Sequence, residues 1–183
     1  MLILLGGPDR VGKSTLAAEL SEYTGYRVVH HSAPNQKSPR IFECYYQNLQ
    51  DGESQIWDRS YLCAYILERF RNNNHDHIVD VVEMELELRR QPVIHIGVTR
   101  PWYWSAPLHL QELKQEFPDA KPWFIRDMLM GRQQEHHFYT EQMLFFYNTI
   151  TMFPSIIYDG VSGPDEVLSE VRRKLSGLPG LHR

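Results

Sequence analysis

An α/β chain built on a mainly parallel, five-stranded sheet with helices on both faces is the architecture this sequence predicts. Three observations predict it. Short apolar runs of strand length alternate with longer stretches of helical length, and that alternation gives right-handed βαβ crossovers and parallel strands. The first run leads directly into a glycine-rich loop, GGPDRVGKST, and then into a helical pattern. At 183 residues, 42% hydrophobic and 23% charged, the chain has room for one sizeable globular core. One domain over residues 1–183 is expected.

Leu2, Ile3, Leu4 and Leu5 form the first strand, and Leu16, Ala17, Ala18 and Leu20 carry the helix that follows the loop. Four more strands read at 27–31 (RVVHH), 55–58 (QIWD), 92–98 (PVIHIGV) and 155–159 (SIIYD). Helical stretches run over 39–50, 60–72, 78–90, 111–117, 124–150 with a break near Gly131, and 164–175. Ligands of such sheets bind beyond the carboxyl ends of the strands. That rule gathers residues 6–13, 32–37, 58–60, 99–104 and 159–163 along one edge. No repeat or low-complexity tract interrupts the pattern, and only the tail GLPGLHR reads as loose.

The chemistry begins in the first loop. Gly7 and Gly12 let successive backbone N–H groups converge on an anion, and the helix starting near Lys13 aims its positive end at the same point. Lys13 adds an ammonium for β- and γ-phosphates, and the Ser14 hydroxyl suits Mg²⁺. A plain glycine-rich turn would not need the strand before it and the helix after it. The loop therefore reads as a cradle for a nucleoside triphosphate. A second signal stands in QIWDRS, where Asp58 ends a strand and Arg59 follows. A carboxylate there can hold Mg²⁺ or its water beside Ser14, and a guanidinium can grip a second phosphate. Asp58 is also well suited to cap the next helix.

Together, LILLGGPDRVGKSTLA and IWDRSYL resemble the thymidylate kinase family of nucleoside monophosphate kinases, especially its short phage-encoded members. The resemblance follows the element order along nearly the whole chain, with its specificity in these two motifs. It implies a three-layer P-loop kinase fold with a helical lid near 123–137, and transfer of the ATP γ-phosphate to a deoxynucleoside 5′-monophosphate, dTMP or a related pyrimidine. It implies ATP and Mg²⁺ as cofactors, held by Gly7, Asp9, Arg10, Val11, Gly12, Lys13, Ser14 and Thr15 with Arg126 and Arg132 from the lid. Asp9 matches the acid that the family carries in this loop and Arg10 the arginine that one subgroup adds before the second glycine, and Asp9 is also implied to bind the acceptor. Asp58 and Arg59 match the pair that serves the metal and the acceptor phosphate. The chain departs from the family in a short segment between the second and third strands. It also carries Tyr61 and Cys63-Ala64 where phage-type members often have a histidine and an acid.

Phosphoryl transfer asks mainly for positioning and positive charge, which Arg10, Lys13 and Arg59 supply at one edge. Arg126 and Arg132 are six residues apart, about 240° around a continuous helix, so only one can face the phosphate. Arg132 is favoured because a hinge at Gly131 would let it close over ATP, with a solvated helix-face charge as the competing reading. A base needs a stacking surface. Phe42 and Tyr61 are the candidates, with Tyr45, Tyr46 and Tyr65 nearby, and a helix packing face explains the same residues. Arg40 is a weaker candidate for the acceptor phosphate. PWYWS at 101–105 can line either pocket or anchor a loop.

A net charge of −4 with no basic stripe argues against nucleic acid as a partner. Cys44 and Cys63 form no CxxC pair, so neither a disulfide framework nor a thiolate zinc site is expected, and a cytoplasmic location fits, that of a host if the chain is phage-encoded. The five apolar residues at the start are too few for a signal peptide or a membrane span. Nine histidines, including the pairs at 30–31 and 136–137 and an HDH at 75–77, form no convincing ligand set. Small nucleotides are the expected partners, and a homodimer is a common assembly of the family. Rival functions are a deoxynucleoside kinase with Asp58 as its base, a polynucleotide kinase and a nucleotide-binding module without turnover.

Overall fold

Strand β1 (Leu2–Gly6) lies in the middle of a parallel sheet of order β2-β3-β1-β4-β5, formed with β2 (Arg27–His30), β3 (Gln55–Asp58), β4 (Val93–Val98) and β5 (Ser155–Tyr158). The computed structural model describes residues 1–31, 42–49, 52–73, 77–160 and 164–176. Among these, seven helices accompany the strands: α1 (Lys13–Thr24), α2 (Glu43–Leu49), α3 (Tyr61–Asn72), α4 (Ile78–Leu88), α5 (Trp102–Glu116), α6 (Pro122–Thr149) and α7 (Pro164–Ser176). The predicted five-stranded parallel α/β fold is the observed one.

Strand alternation sorts the core into two layers. Ile3, Leu5, Ile56, Ile94 and Ile96 pack with Leu16, Ala17 and Leu20 of α1 and Val167 and Val171 of α7. On the other face Leu2, Leu4, Trp57 and Val93 meet α3, α4 and α6 through Leu62, Ile66, Met84 and Phe146. Every residue of β1, β3 and β4 is buried, as strands covered on both sides require. The register aligns Leu5 with Asp58 and Gly6 with Gly97, so the loops after β1, β3 and β4 leave from one level.

Two helices depart from the sequence reading. α5 begins at Trp102, nine residues before the expected start at Gln111, and carries Pro107 inside it. A proline forfeits one intrahelical N–H, which made this stretch read as loop. α6 runs unbroken from Pro122 to Thr149, through Gly131. A helical glycine costs about 1 kcal/mol against alanine, too little to interrupt a 28-residue helix that packs on α3 and α5. The expected hinge is therefore absent from this structure. The expected loop at 32–37 lies outside the described residues. No described helix is long and apolar enough to cross a membrane.

Candidate active site

The loop after β1 is shaped by close backbone contact. Gly7 has φ 147°, and a Cβ there would fall 2.2 Å from the Val98 carbonyl oxygen, so only glycine passes. Gly12, at φ 93°, then turns the chain into α1 with Lys13 as its first helical residue. Lys13 is buried, and its Nζ donates to the carbonyls of Gly7, at 2.9 Å, and Pro8. Burial lowers its pKa, opposed by the Asp9 carboxylate.

Asp58 reaches the same loop from β3. The Ser14 hydroxyl donates to Asp58 Oδ2 at 2.7 Å, and His30 Nδ1 lies 2.9 Å from that oxygen. Asp58 Oδ1 is buried with no hydrogen-bond partner. Ser60, not Asp58, stands at the N-cap of α3, which removes the capping alternative. Arg59 has φ 81°, a left-handed conformation costing about 1–3 kcal/mol and common at functional sites. That twist points its guanidinium to Asp9, where Nη2 donates to Oδ1 at 2.7 Å. Burial alone would raise the Asp9 carboxyl, but Arg59, Lys13, His109 and Arg132 hold it below the ordinary value. Asp9 in turn raises Arg59 against its own burial.

These groups border a cleft of about 530 Å³ lined by Lys13, Ser14, Thr15, Asp58, Arg100 and Arg132, among others. A second space, of only about 20 Å³, adjoins it between the loop, α3, α5 and α6, reaching Pro8, Cys63, His136 and Tyr139. Asp9, Arg59, His109 and Arg132 line both spaces. Burial lowers the pKa of His109 and His136, which keeps the rings neutral near these cations. Two hard oxygen donors, Ser14 and Asp58, with the unpartnered Oδ1 beside them, are the donor chemistry that Mg²⁺ prefers.

Of the sequence candidates, Gly12, Lys13, Ser14, Thr15, Asp9, Asp58, Arg59 and Arg132 meet at the cleft. Arg10 lines it while pairing with Glu112 at 2.6 Å, and Gly7 lines the smaller pocket. Val11 is fully buried and packs beneath the loop. Arg126 is not brought in: its side chain is 73% exposed and pairs with Asp127. Phe42 and Tyr61 belong to the core, edge-on to each other, with the Tyr61 hydroxyl donating to Glu85. With 2% and 0% exposure neither offers a face to a base, which corrects the stacking assignment. Arg40 lies outside the described residues.

Arg100 and His109 are among the lining residues that escaped the sequence reading. Arg100 falls within the edge segment 99–104, where only the aromatic residues drew notice. His109 was hidden by the late start assigned to α5.

No family model and no curated protein matches the chain. Solved structures do. YorR protein from Bacillus subtilis in complex with phosphorylated GDP is 17% identical, with a TM-score of 0.63 over 96% of each chain. Deoxyadenosine kinase from M. mycoides, with products dCMP and dCDP bound, is 19% identical, with a TM-score of 0.58 over 96% of this chain and 98% of that one. Thymidylate kinase from Candida albicans is 17% identical, with a TM-score of 0.51 over 96% and 90%. At these identities the likeness is one of fold, that of the P-loop kinases.

Proposed function

We propose that this chain is an ATP-dependent nucleotide kinase that transfers the γ-phosphate of ATP to a deoxynucleoside 5′-monophosphate, dTMP or a related pyrimidine nucleotide. One observation carries the reading. Adjacent residues at the carboxyl end of β3 serve two spaces at once, Asp58 bonded to Ser14 beside Lys13 and Arg59, just past the strand, turned to Asp9 where the two spaces meet. The sequence likeness to thymidylate kinases and a fold shared with nucleotide kinases support it.

In this reading the loop N–H groups and Lys13 hold the β- and γ-phosphates. Ser14 and Asp58 hold Mg²⁺, which screens charge on the phosphate oxygens when bound. Arg59 holds the acceptor phosphate, and Arg132 reaches the meeting point from α6, whose segment 123–137 is the proposed lid of a single domain over 1–183. An acceptor phosphate oxygen bonds to the γ-phosphorus as the bond to the β–γ bridging oxygen breaks, leaving ADP. That attacking oxygen is already deprotonated, so no general base is required. Asp58, engaged by Ser14 and His30, is then free of that duty. A cytoplasmic setting and a homodimer belong to the same proposal.

The test is a coupled assay of ADP formation over a panel of nucleosides and monophosphates with ATP and Mg²⁺. Turnover with monophosphates is expected, strongest with dTMP. Turnover confined to nucleosides would replace this reading by that of a nucleoside kinase. Arg59→Ala removes a charge-assisted bond of about 1.5–3 kcal/mol, so KM for the monophosphate rises about tenfold or more while ATP affinity changes little.

A further inference from the structure

Arg100 follows β4 at the carboxyl edge of the sheet and lines the cleft with Lys13, Ser14 and Thr15. Its side chain lies between two bare stretches of backbone. On one side Nη2 is 3.7 Å from where Gly12 would carry a Cβ. On the other, a Cβ on Gly160 in the turn after β5 would lie 2.5 Å from Nε and 2.7 Å from Cγ. Any side chain at Gly160, which has φ 68°, would push the guanidinium away. The Arg100 carbonyl accepts a 2.8 Å bond from His136 Nε2, which ties this turn to α6. The residue is thus held in place from three directions.

Its charge has no carboxylate counterpart among the described residues, only the Trp104 ring 5.9 Å from Cζ. Nε is buried without a hydrogen-bond partner, and no carboxylate lies within 4 Å of the guanidinium among the described residues. It stands instead near the positive end of α1, beside Gly12, on a cleft that Lys13 also lines. Lys13 has the Asp9 carboxylate 4.0 Å away, but the helix end and the Arg100 guanidinium have no such counter-charge, an arrangement that favours a bound polyanion.

We infer that Arg100 is a ligand of the donor, gripping its α- and β-phosphates at the end remote from the acceptor. The inference rests on the triphosphate reading above. The assignment to that end follows from the lining residues. Asp9, Arg59, His109 and Arg132 are common to the cleft and the smaller pocket, so donor and acceptor meet there. Arg100 lines only the cleft, beside Gly12, and so sits away from that junction. A planar guanidinium fixed at Cγ and Nε presents its two terminal nitrogens together, the geometry of bidentate phosphate recognition. Recognition through phosphate makes this contact indifferent to the base.

The experiment is calorimetric titration of the wild type, Arg100→Ala and Arg100→Lys with ATP, with inorganic tripolyphosphate and with dTMP, all with Mg²⁺, after circular dichroism has shown each variant folded. Arg100→Ala is expected to weaken ATP and tripolyphosphate alike by about tenfold, the size of one charge-assisted contact. Arg100→Lys should recover part of that loss, and dTMP affinity should not move. Unchanged ATP affinity in Arg100→Ala overturns the role of Arg100 alone. A loss for ATP without one for tripolyphosphate also overturns it, since the contact would then be to base or sugar. A wild type that binds neither ATP nor tripolyphosphate overturns the triphosphate reading and Arg100 with it.

Discussion

Lys13 donates to the carbonyls of its own loop, Gly7 and Pro8. Those bonds can be exchanged for phosphate oxygens. Lys13→Ala should therefore abolish turnover while leaving the far-ultraviolet circular dichroism unchanged, and comparable turnover in a folded variant would remove the lysine from the chemistry. The two arginines of α6 give a ranking. Arg132 lines the junction of cleft and pocket, whereas Arg126 faces solvent beside Asp127. Loss of one preorganised cation at transferring oxygens costs about a hundredfold in kcat, so Arg132→Ala should fall by that order and Arg126→Ala by far less. A reversed ranking in steady-state kinetics would reject Arg132. Lys13, Ser14, Asp58 and Arg59 were legible because each lies in a short motif whose spacing already demands an anion or a metal. Arg100 was not, because its isolation becomes visible only once the turn after β5 is folded against it. Phe42 and Tyr61 misled for a related reason: an aromatic residue near a ligand edge fits a stacking platform and a packed core equally well, and only burial decides.

Among the elements, α6 is where the sequence reading and the structure part most clearly. Gly131 lies in the middle of a continuous helix, with open space where its Cβ would be. Gly131→Ala should then stabilise the protein by about 0.5–1 kcal/mol, raising Tm by about 1–4 °C with turnover retained. Scanning calorimetry beside the kinetic assay decides the matter, since a hinge would show lost turnover instead. Strand positions were readable to within a residue because five short apolar runs have a single use in a parallel sheet. Helix ends were harder. The start of α5 depends on Pro101 and Pro107, and tertiary packing overrides the local penalty of a proline six residues into a helix.

For the molecule as a whole, burial of histidine sets the response to acid. Burial lowers His31 to about 4 and His95 to about 3, and it lowers His109 and His136 as well. In each case the folded pKa lies below the ordinary 6.5, so on acidification the unfolded chain takes up protons first. The stability they allow is complete above about pH 6.5 and is lost as pH falls from there toward 4 and 3. Urea midpoints should drop between pH 7 and pH 5, and His95→Gln, neutral throughout, should reduce that drop; an equal drop in the variant would clear His95. The same strand that carries His95 also sets the spacing at the cleft. Gly7 rests on the last carbonyl of β4, and Arg100 leaves the chain two residues further on. The loop after β1 and the arginine beside it are both referenced to Val98, on neighbouring strands about 4.8 Å apart. The span between them is inherited from the pleated framework rather than from any connecting segment, so a phosphate chain bound as proposed would be measured by the stiffest part of the molecule.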